Sequence, residues 1–241
     1  MKYSFPAFEN GFIRAAAASP ALRVADCAYN ADQIIGVMRE YAEKNVQLLC
    51  LPEFALTGYT CSDLFLQETL LRGAEDGLAA ILKASEGLNL VVLVGLPVRH
   101  NGKLYNCAAV LCNGELLGLV PKMHLPNYGE FYEKRHFIPG MREPECIELA
   151  GQETLIGTNL LFACKQMPLC WPPRCVRICG RPSRPAAPMR WQGPRWWRIS
   201  LPVMRRSAKP LTAVSWSAGR AHGCSAPISM PTRATVRAPP T

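Results

Sequence analysis

From Thr154 to Thr241, a run of 88 residues, the chain contains no aspartate and no glutamate. At the acidic share usual for globular proteins, a gap that long arises by chance roughly once in 10^5 sequences. Any chemistry that needs a carboxylate must therefore take it from the first 153 residues. Tryptophan is missing from the opposite part, with all five Trp at or beyond Trp171. No apolar run reaches the length of a membrane-spanning helix, so no membrane partner is expected. Met1 to Asn10 lacks the charged start and apolar stretch of a secretory signal. The eleven cysteines are scattered. Cys175 and Cys179 stand four apart, without the His or second Cys pair that a zinc site requires. A reduced, cytoplasmic protein with no metal is the expectation. Cys27, Cys50, Cys107 and Cys112 then read as small core residues.

The net charge of +9 is a sum of unlike parts. Residues 1–168 carry 14 Lys and Arg against all 18 acids, a balance of −4, whereas residues 169–241 carry 12 Arg and one Lys against none. Twelve of the 21 prolines fall in those last 73 residues. Proline disrupts helices and central strands, and like charges repel, so residues 169–241 are expected to be a disordered Arg/Pro-rich tail. Residues 1–168 are long enough to bury a core and form the one expected domain. A basic protein ordinarily suggests nucleic acid as partner. Here that inference rests on the tail alone, where Arg195-Trp196-Trp197-Arg198 offers charge and stacking, and nucleic acid is not the expected partner.

Within residues 1–168 the pattern is α/β. Phe12 to Ala18 suits a buried strand. Asn30 is a candidate N-cap for a helix from Ala31 to about Lys44, with Ile34, Ile35, Met38, Tyr41 and Ala42 on its apolar side. Val46 to Leu51 and Leu88 to Leu96 read as buried strands, and Gly73 to Ala84 as a helix. Leu104 to Leu111 and Glu115 to Val120 form a hairpin around Asn113-Gly114, and Asn101-Gly102 marks another turn. Continuous apolar strands alternating with helices imply a covered sheet.

Two polar clusters stand directly after apolar strands. Glu53 follows Leu51-Pro52, at the carboxyl end of a strand, where open α/β sheets place ligands. Apolar neighbours there raise a carboxyl pKa toward that of a general base. Position alone does not separate it from an exposed loop glutamate. Lys122 follows Val120-Pro121, and a lysine so held can stabilise a developing oxyanion. Position alone fits a solvated lysine equally. His124 reads as a structural histidine.

Together, LCLPEFALTGY and GLVPKMHLPNYGEFYEKRHFIPG resemble the glutamate and lysine motifs of the carbon–nitrogen hydrolase (nitrilase) family. TGYTCSDLF and LPNYGEFYEKRHF resemble the glutaminase domains of glutamine-dependent NAD+ synthetases and favour them over a general nitrilase or amidase of the family. The resemblance runs from about Tyr3 to Met167. It implies a nitrilase-type α-β-β-α sandwich, incomplete here and followed by a tail foreign to it. It also implies a Glu–Lys–Cys catalytic set. Glu53 matches the general base, Lys122 the stabiliser of the tetrahedral intermediate, Glu133 a second glutamate supporting lysine and substrate, and Tyr128 a residue lining the glutamine pocket. The implied substrate is glutamine, with ammonia passed to a synthetase domain that residues 1–241 do not include. No cofactor is implied for the glutaminase chemistry; ATP and Mg would serve the synthetase domain. The intact protein is expected to be a homo-oligomer. Another amidase or nitrilase of the family, and a non-catalytic protein with a basic binding tail, are the alternatives.

The family's nucleophile sits in a motif resembling E-[VI]-C-E-D-[LI]-W, due near position 176. This chain reads PPRCVRICG there. Cys175 is nearest, but no strand pattern leads into it and its neighbours are not acidic. The genetic code offers a test. Codons built from the third base of one residue and the first two of the next permit AAEVCEDLW across Trp171 to Gly180. Further on they permit ALAGATVV and AYLYANAGYGES. A one-base frameshift near Pro168 is therefore the expected origin of the tail, and no nucleophile is expected in place.

Overall fold

A computed structural model describes residues 13–160, 162–164, 169–171, 173–174, 199–200 and 212–216. Strands β1 (Ile13–Ala17), β2 (Leu48–Cys50), β3 (Val91–His100), β4 (Lys103–Cys112), β5 (Glu115–Pro121), β6 (Glu145–Leu149) and β7 (Gln152–Ile156) belong to one mixed sheet. Its eighth strand is β12 (Thr212–Trp216), antiparallel to β1 at one edge, and the order is β12-β1-β2-β3-β4-β5-β7-β6. β1, β2 and β3 run parallel, as do β5 and β7. β4 is antiparallel to both β3 and β5, so β5 points the same way as β2 and β3.

The expected hairpins form where Asn-Gly pairs allow positive φ at both turn positions. Asn113 and Gly114 have φ of 50° and 80°, and Asn101 and Gly102 have 49° and 72°. β3 continues to His100, through Pro97, where the sequence suggests an end at Leu96. Pro97 is tolerated because β2 pairs with β3 only as far as Leu93, so that flank of β3 has no ladder bond to lose.

Alternation sorts the strands into two faces. Ala16, Leu49, Val92, Val94, Leu96, Ala109 and Leu111 pack with helices α1 (Cys27–Glu43) and α2 (Glu68–Ala84). Leu48, Cys50, Leu93, Ala108, Val110 and Val120 form the core of the other face, with Phe162. Both helices begin earlier than their patterns suggest. Asp26, not Asn30, caps α1, its carboxylate accepting from the Tyr29 N–H at 3.1 Å. Asn30 lies inside the helix, fully buried, and donates to the Leu56 and Arg23 carbonyls at 2.9 and 2.7 Å. α2 begins at Glu68, whose charge suits the helix's N-terminal dipole.

Among the described residues no helix is long and apolar enough to cross a membrane. The disorder expected for residues 169–241 falls for the most part outside the described residues. Within that stretch the strands β9 (Leu169–Trp171), β10 (Pro173–Arg174), β11 (Ile199–Ser200) and β12 are described, following β8 (Phe162–Cys164). β10 therefore leads directly to Cys175, where the sequence suggests no strand.

Candidate active site

Because β2 and β5 point the same way, the segments that follow them emerge at one edge of the sheet. Glu53 leaves β2 and Lys122 leaves β5 on that edge. β4 passes near both, running the other way, so its early residue Asn106 lies at the same edge, paired with Pro97 of β3. The Lys122 N–H donates to the Asn106 carbonyl at 2.8 Å, which continues the ladder one step past β5.

The Glu53 turn lies directly on β3. Leu51 N–H donates to the Leu93 carbonyl at 3.0 Å and Leu56 N–H to that of Gly95 at 3.3 Å. Only glycine fits at position 95. A Cβ there would sit 2.5 Å from the Phe54 nitrogen and 2.7 Å from the Pro52 oxygen, both backbone atoms that cannot swing away. Phe54 holds a left-handed φ of 51°, which is uncommon for a bulky residue. Its buried ring stacks at 4.9 Å from Phe65 and 5.1 Å from Phe137, and this packing offsets the backbone cost.

Glu133 arrives on a loop. It opens a short 3-10 turn, Glu133–Arg135, and its N–H donates to the Pro126 carbonyl at 3.2 Å. Arg135 and His136, two and three residues on, anchor the loop from outside. Arg135 makes a two-pronged pair with Asp63 at 2.7 and 2.9 Å, and His136 Nε2 lies 2.9 Å from the same carboxylate.

These three routes converge on one ammonium. Lys122 Nζ donates to Glu53 Oε1 at 2.7 Å and to Glu133 Oε1 and Oε2 at 2.8 and 2.9 Å. Lys122 and Glu133 are buried, their side chains to 3% and 6% exposure, and the Glu53 side chain is exposed to 13%. Burial by itself would lower the Lys122 pKa. The two carboxylates override it, and the ammonium is held above its ordinary value and stays charged. Burial lifts the Glu133 carboxyl upward, only partly countered by Lys122 and by the Tyr59 hydroxyl, which donates to Oε1 at 2.6 Å. Burial and that same bond to Glu133 push the Tyr59 phenol well up, so it remains a donor. The arrangement is a buried cation with every N–H committed to carboxylate oxygen, at the carboxyl edge of a parallel pair of strands. Such a cluster can exchange one carboxylate contact for a developing oxyanion, and its second acid can take a proton.

The family profile described as carbon-nitrogen hydrolase matches residues 14–174, about two thirds of the chain. The chain belongs to the carbon–nitrogen hydrolase family. Among known proteins it resembles the glutamine-dependent NAD+ synthetase of Mycobacterium tuberculosis, 38% identical over 164 residues, which cover 68% of this chain and 24% of that protein. The enzyme of the same name from Aquifex aeolicus is 38% identical over 130 residues, covering 54% and 22%. The crystal structure of a glutamine-dependent NAD+ synthetase from Cytophaga hutchinsonii superposes with a TM-score of 0.63 at 29% identity, over 68% of this chain and 28% of that one. The chain thus spans about a quarter of the length of the curated relatives it matches.

In this carbon–nitrogen hydrolase chain, Glu53, Lys122 and Glu133 come together within hydrogen-bond distance. Tyr128 lies on the loop between Lys122 and Glu133. It is half exposed, with its ring 5.8 Å from Phe131, which in turn lies 6.4 Å from Tyr59. His124, read as a structural histidine, is exposed. Cys175 lies outside the described residues and one position beyond the family match. Sequence reasoning missed Asn106 and gave Tyr59 no role. Asn106 donates to Glu53 Oε1 at 2.5 Å and is almost fully buried. Its signal was present, since it is the one polar residue among Leu104, Ala108 and Val110 on an alternating apolar face. A buried amide in that position requires a partner.

Proposed function

We propose that this chain corresponds to the glutamine amidohydrolase part of a glutamine-dependent NAD+ synthetase, carrying Glu53, Lys122 and Glu133 but lacking the family's cysteine in place. The observation that carries the reading is the buried Lys122 ammonium bracketed by two glutamates at a strand-end edge. With a cysteine at the site, its thiol proton passes to Glu53 and the thiolate attacks the glutamine side-chain amide carbon. The carbonyl oxygen gains negative charge and takes one of the Lys122 N–H bonds from a carboxylate. As the C–N bond breaks, Glu53 returns the proton to the leaving nitrogen and ammonia departs. Water then adds to the glutamyl thioester, giving a proton to Glu53; the C–S bond breaks, the thiolate takes that proton back, and glutamate leaves. Glu133 holds Lys122 throughout, and Tyr128 borders the entrance that glutamine uses. The ammonia serves a synthetase domain using ATP and Mg, and the intact enzyme works in the cytoplasm as a homo-oligomer.

The tail fits a one-base change of reading frame near Pro168, which replaces the cysteine motif. The test has two arms. The 241-residue chain is expected to release no ammonia from glutamine. A chain with the frame restored from Pro168 is expected to release it, and Glu53→Gln in that chain to lower the rate by about 10^2 to 10^4, as for loss of a general base. Ammonia release by the 241-residue chain, abolished by Cys175→Ala, would show instead that the nucleophile survives. An early stop in the alternate frame of the coding DNA would exclude the frame change. Turnover of other amides but not glutamine by the restored chain would favour a general amidase.

A further inference from the structure

Two groups bond Glu53, and the proposed mechanism uses only one of them. Glu53 Oε1 accepts from Lys122 Nζ at 2.7 Å and from Asn106 Nδ2 at 2.5 Å. Its other oxygen, Oε2, accepts from none of the described residues. Asn106 is tied to the site twice, since its own carbonyl receives the Lys122 N–H at 2.8 Å. It sits on β4, in a ten-residue ladder with β3, and not on a loop. Its side chain therefore cannot follow the Glu53 turn if that turn moves. A carboxylate that accepts two charge-assisted hydrogen bonds on one oxygen has that oxygen fixed in place.

We infer that Asn106 is a positioning residue for the base: it pins Oε1 of Glu53 against Lys122, sets the rotation of the carboxylate and leaves Oε2 as the oxygen that takes the proton. This rests on the reading of Glu53 as general base. The link between Asn106 and Glu53 can nevertheless be measured without turnover. Lysine alone, free to swing among three acceptor oxygens, leaves the carboxylate free to rotate. The amide on a rigid strand supplies the second fixed point.

The test uses the 241-residue chain labelled with 13C and 15N. In the unmodified protein, one Nδ2 proton of Asn106 is expected well downfield of the other side-chain amides, as for a donor to a carboxylate. In Glu53→Gln that proton is expected to move upfield, because its acceptor has lost its charge. Asn106→Leu, which keeps the volume and removes the donors, is expected to move the Glu53 carboxyl carbon resonance while that of Glu133 stays. An Asn106 amide that is the same in the unmodified protein and in Glu53→Gln overturns the inference, whether or not Asn106→Leu folds. So does a Glu53 carboxyl resonance unchanged in Asn106→Leu. Failure of the restored chain to hydrolyse glutamine, with these couplings intact, would strike the functional reading and leave the positioning role standing.

Discussion

Two charged clusters lie on the same loop, joined through consecutive stretches of chain, and they differ in almost everything but composition. Glu133 and Lys122 meet in the interior, with Glu53 on the far side of the ammonium. Two residues along, Arg135 grips Asp63 in the open, both side chains more than half exposed. The outer pair has the better geometry, a two-pronged arginine–carboxylate fork. Water screens it nevertheless, and its contribution to stability is small. The inner group has given up its hydration, so each member depends on the others, and removing one leaves an uncompensated charge. The outer cluster ties a loop down, and the inner one stores the chemistry.

The sharpest way to break this contrast is to remove the inner cation. Lys122→Met leaves two buried carboxyls facing each other, and a loss of about 3–5 kcal/mol is expected near pH 7. Urea unfolding at a series of pH values checks it. Part of the loss should return on acidification, since Glu133 already titrates above its ordinary value and protonation relieves the repulsion. In the unmodified protein the sign is opposite at the alkaline end. The folded pKa of Lys122 is raised above 10.5, so its stabilisation is complete below that value and fades as pH rises through the folded one. A folded state whose alkaline unfolding is unchanged in Lys122→Met would contradict this.

A middle-sized effect is expected from Gly95→Ala. The added methyl meets the backbone of Pro52 and Phe54, and overpacking of that kind costs about 1–3 kcal/mol. It should also push Glu53 off Lys122, visible as a moved Glu53 carboxyl resonance while the Glu133 signal stays. Movement of both together would mean that the cluster shifts as a body.

The smallest effect belongs to the outer cluster. Arg135 and His136 hold the Asp63 carboxyl far below the ordinary carboxylate range, so its stabilisation is present above pH 3.8 and lost as pH falls through the lower folded value. Asp63→Asn should barely move the urea midpoint at neutral pH. It should instead raise proteolysis of the 128–138 loop. A midpoint shift as large as that of Lys122→Met would erase the distinction between the two clusters.

Much of the sheet was legible in the chain because its strands are buried on both faces and read as unbroken apolar runs. The Asn-Gly turns were legible because few other residue pairs tolerate two left-handed positions. Helix starts were not, since Asp26 and Asn30 are both good capping residues and only the tertiary position of Leu56 draws the Asn30 amide inward. The β6–β7 hairpin was not read either. It turns on Ala150 and Gly151, with φ of 54° and 72°, and alanine gives no turn signal. At the site, Glu53 and Lys122 were visible as polar residues following apolar strands. Asn106 was visible only as an interruption, with nothing local to say what it meets 53 residues away.

The sequence by itself determined that the acids of this protein end at Glu153, that its strands are covered, and that Glu53, Lys122 and Glu133 stand in a family's motifs. It also determined that the residues after Pro168 are of another composition. Only the tertiary structure decided that β2 and β5 share a direction, so that residues 69 apart end on one edge and one ammonium binds two carboxylates. The physical reason is that charge becomes chemistry through burial and distance. Neither quantity is a property of a residue type, and both are set by how strands pair far along the chain.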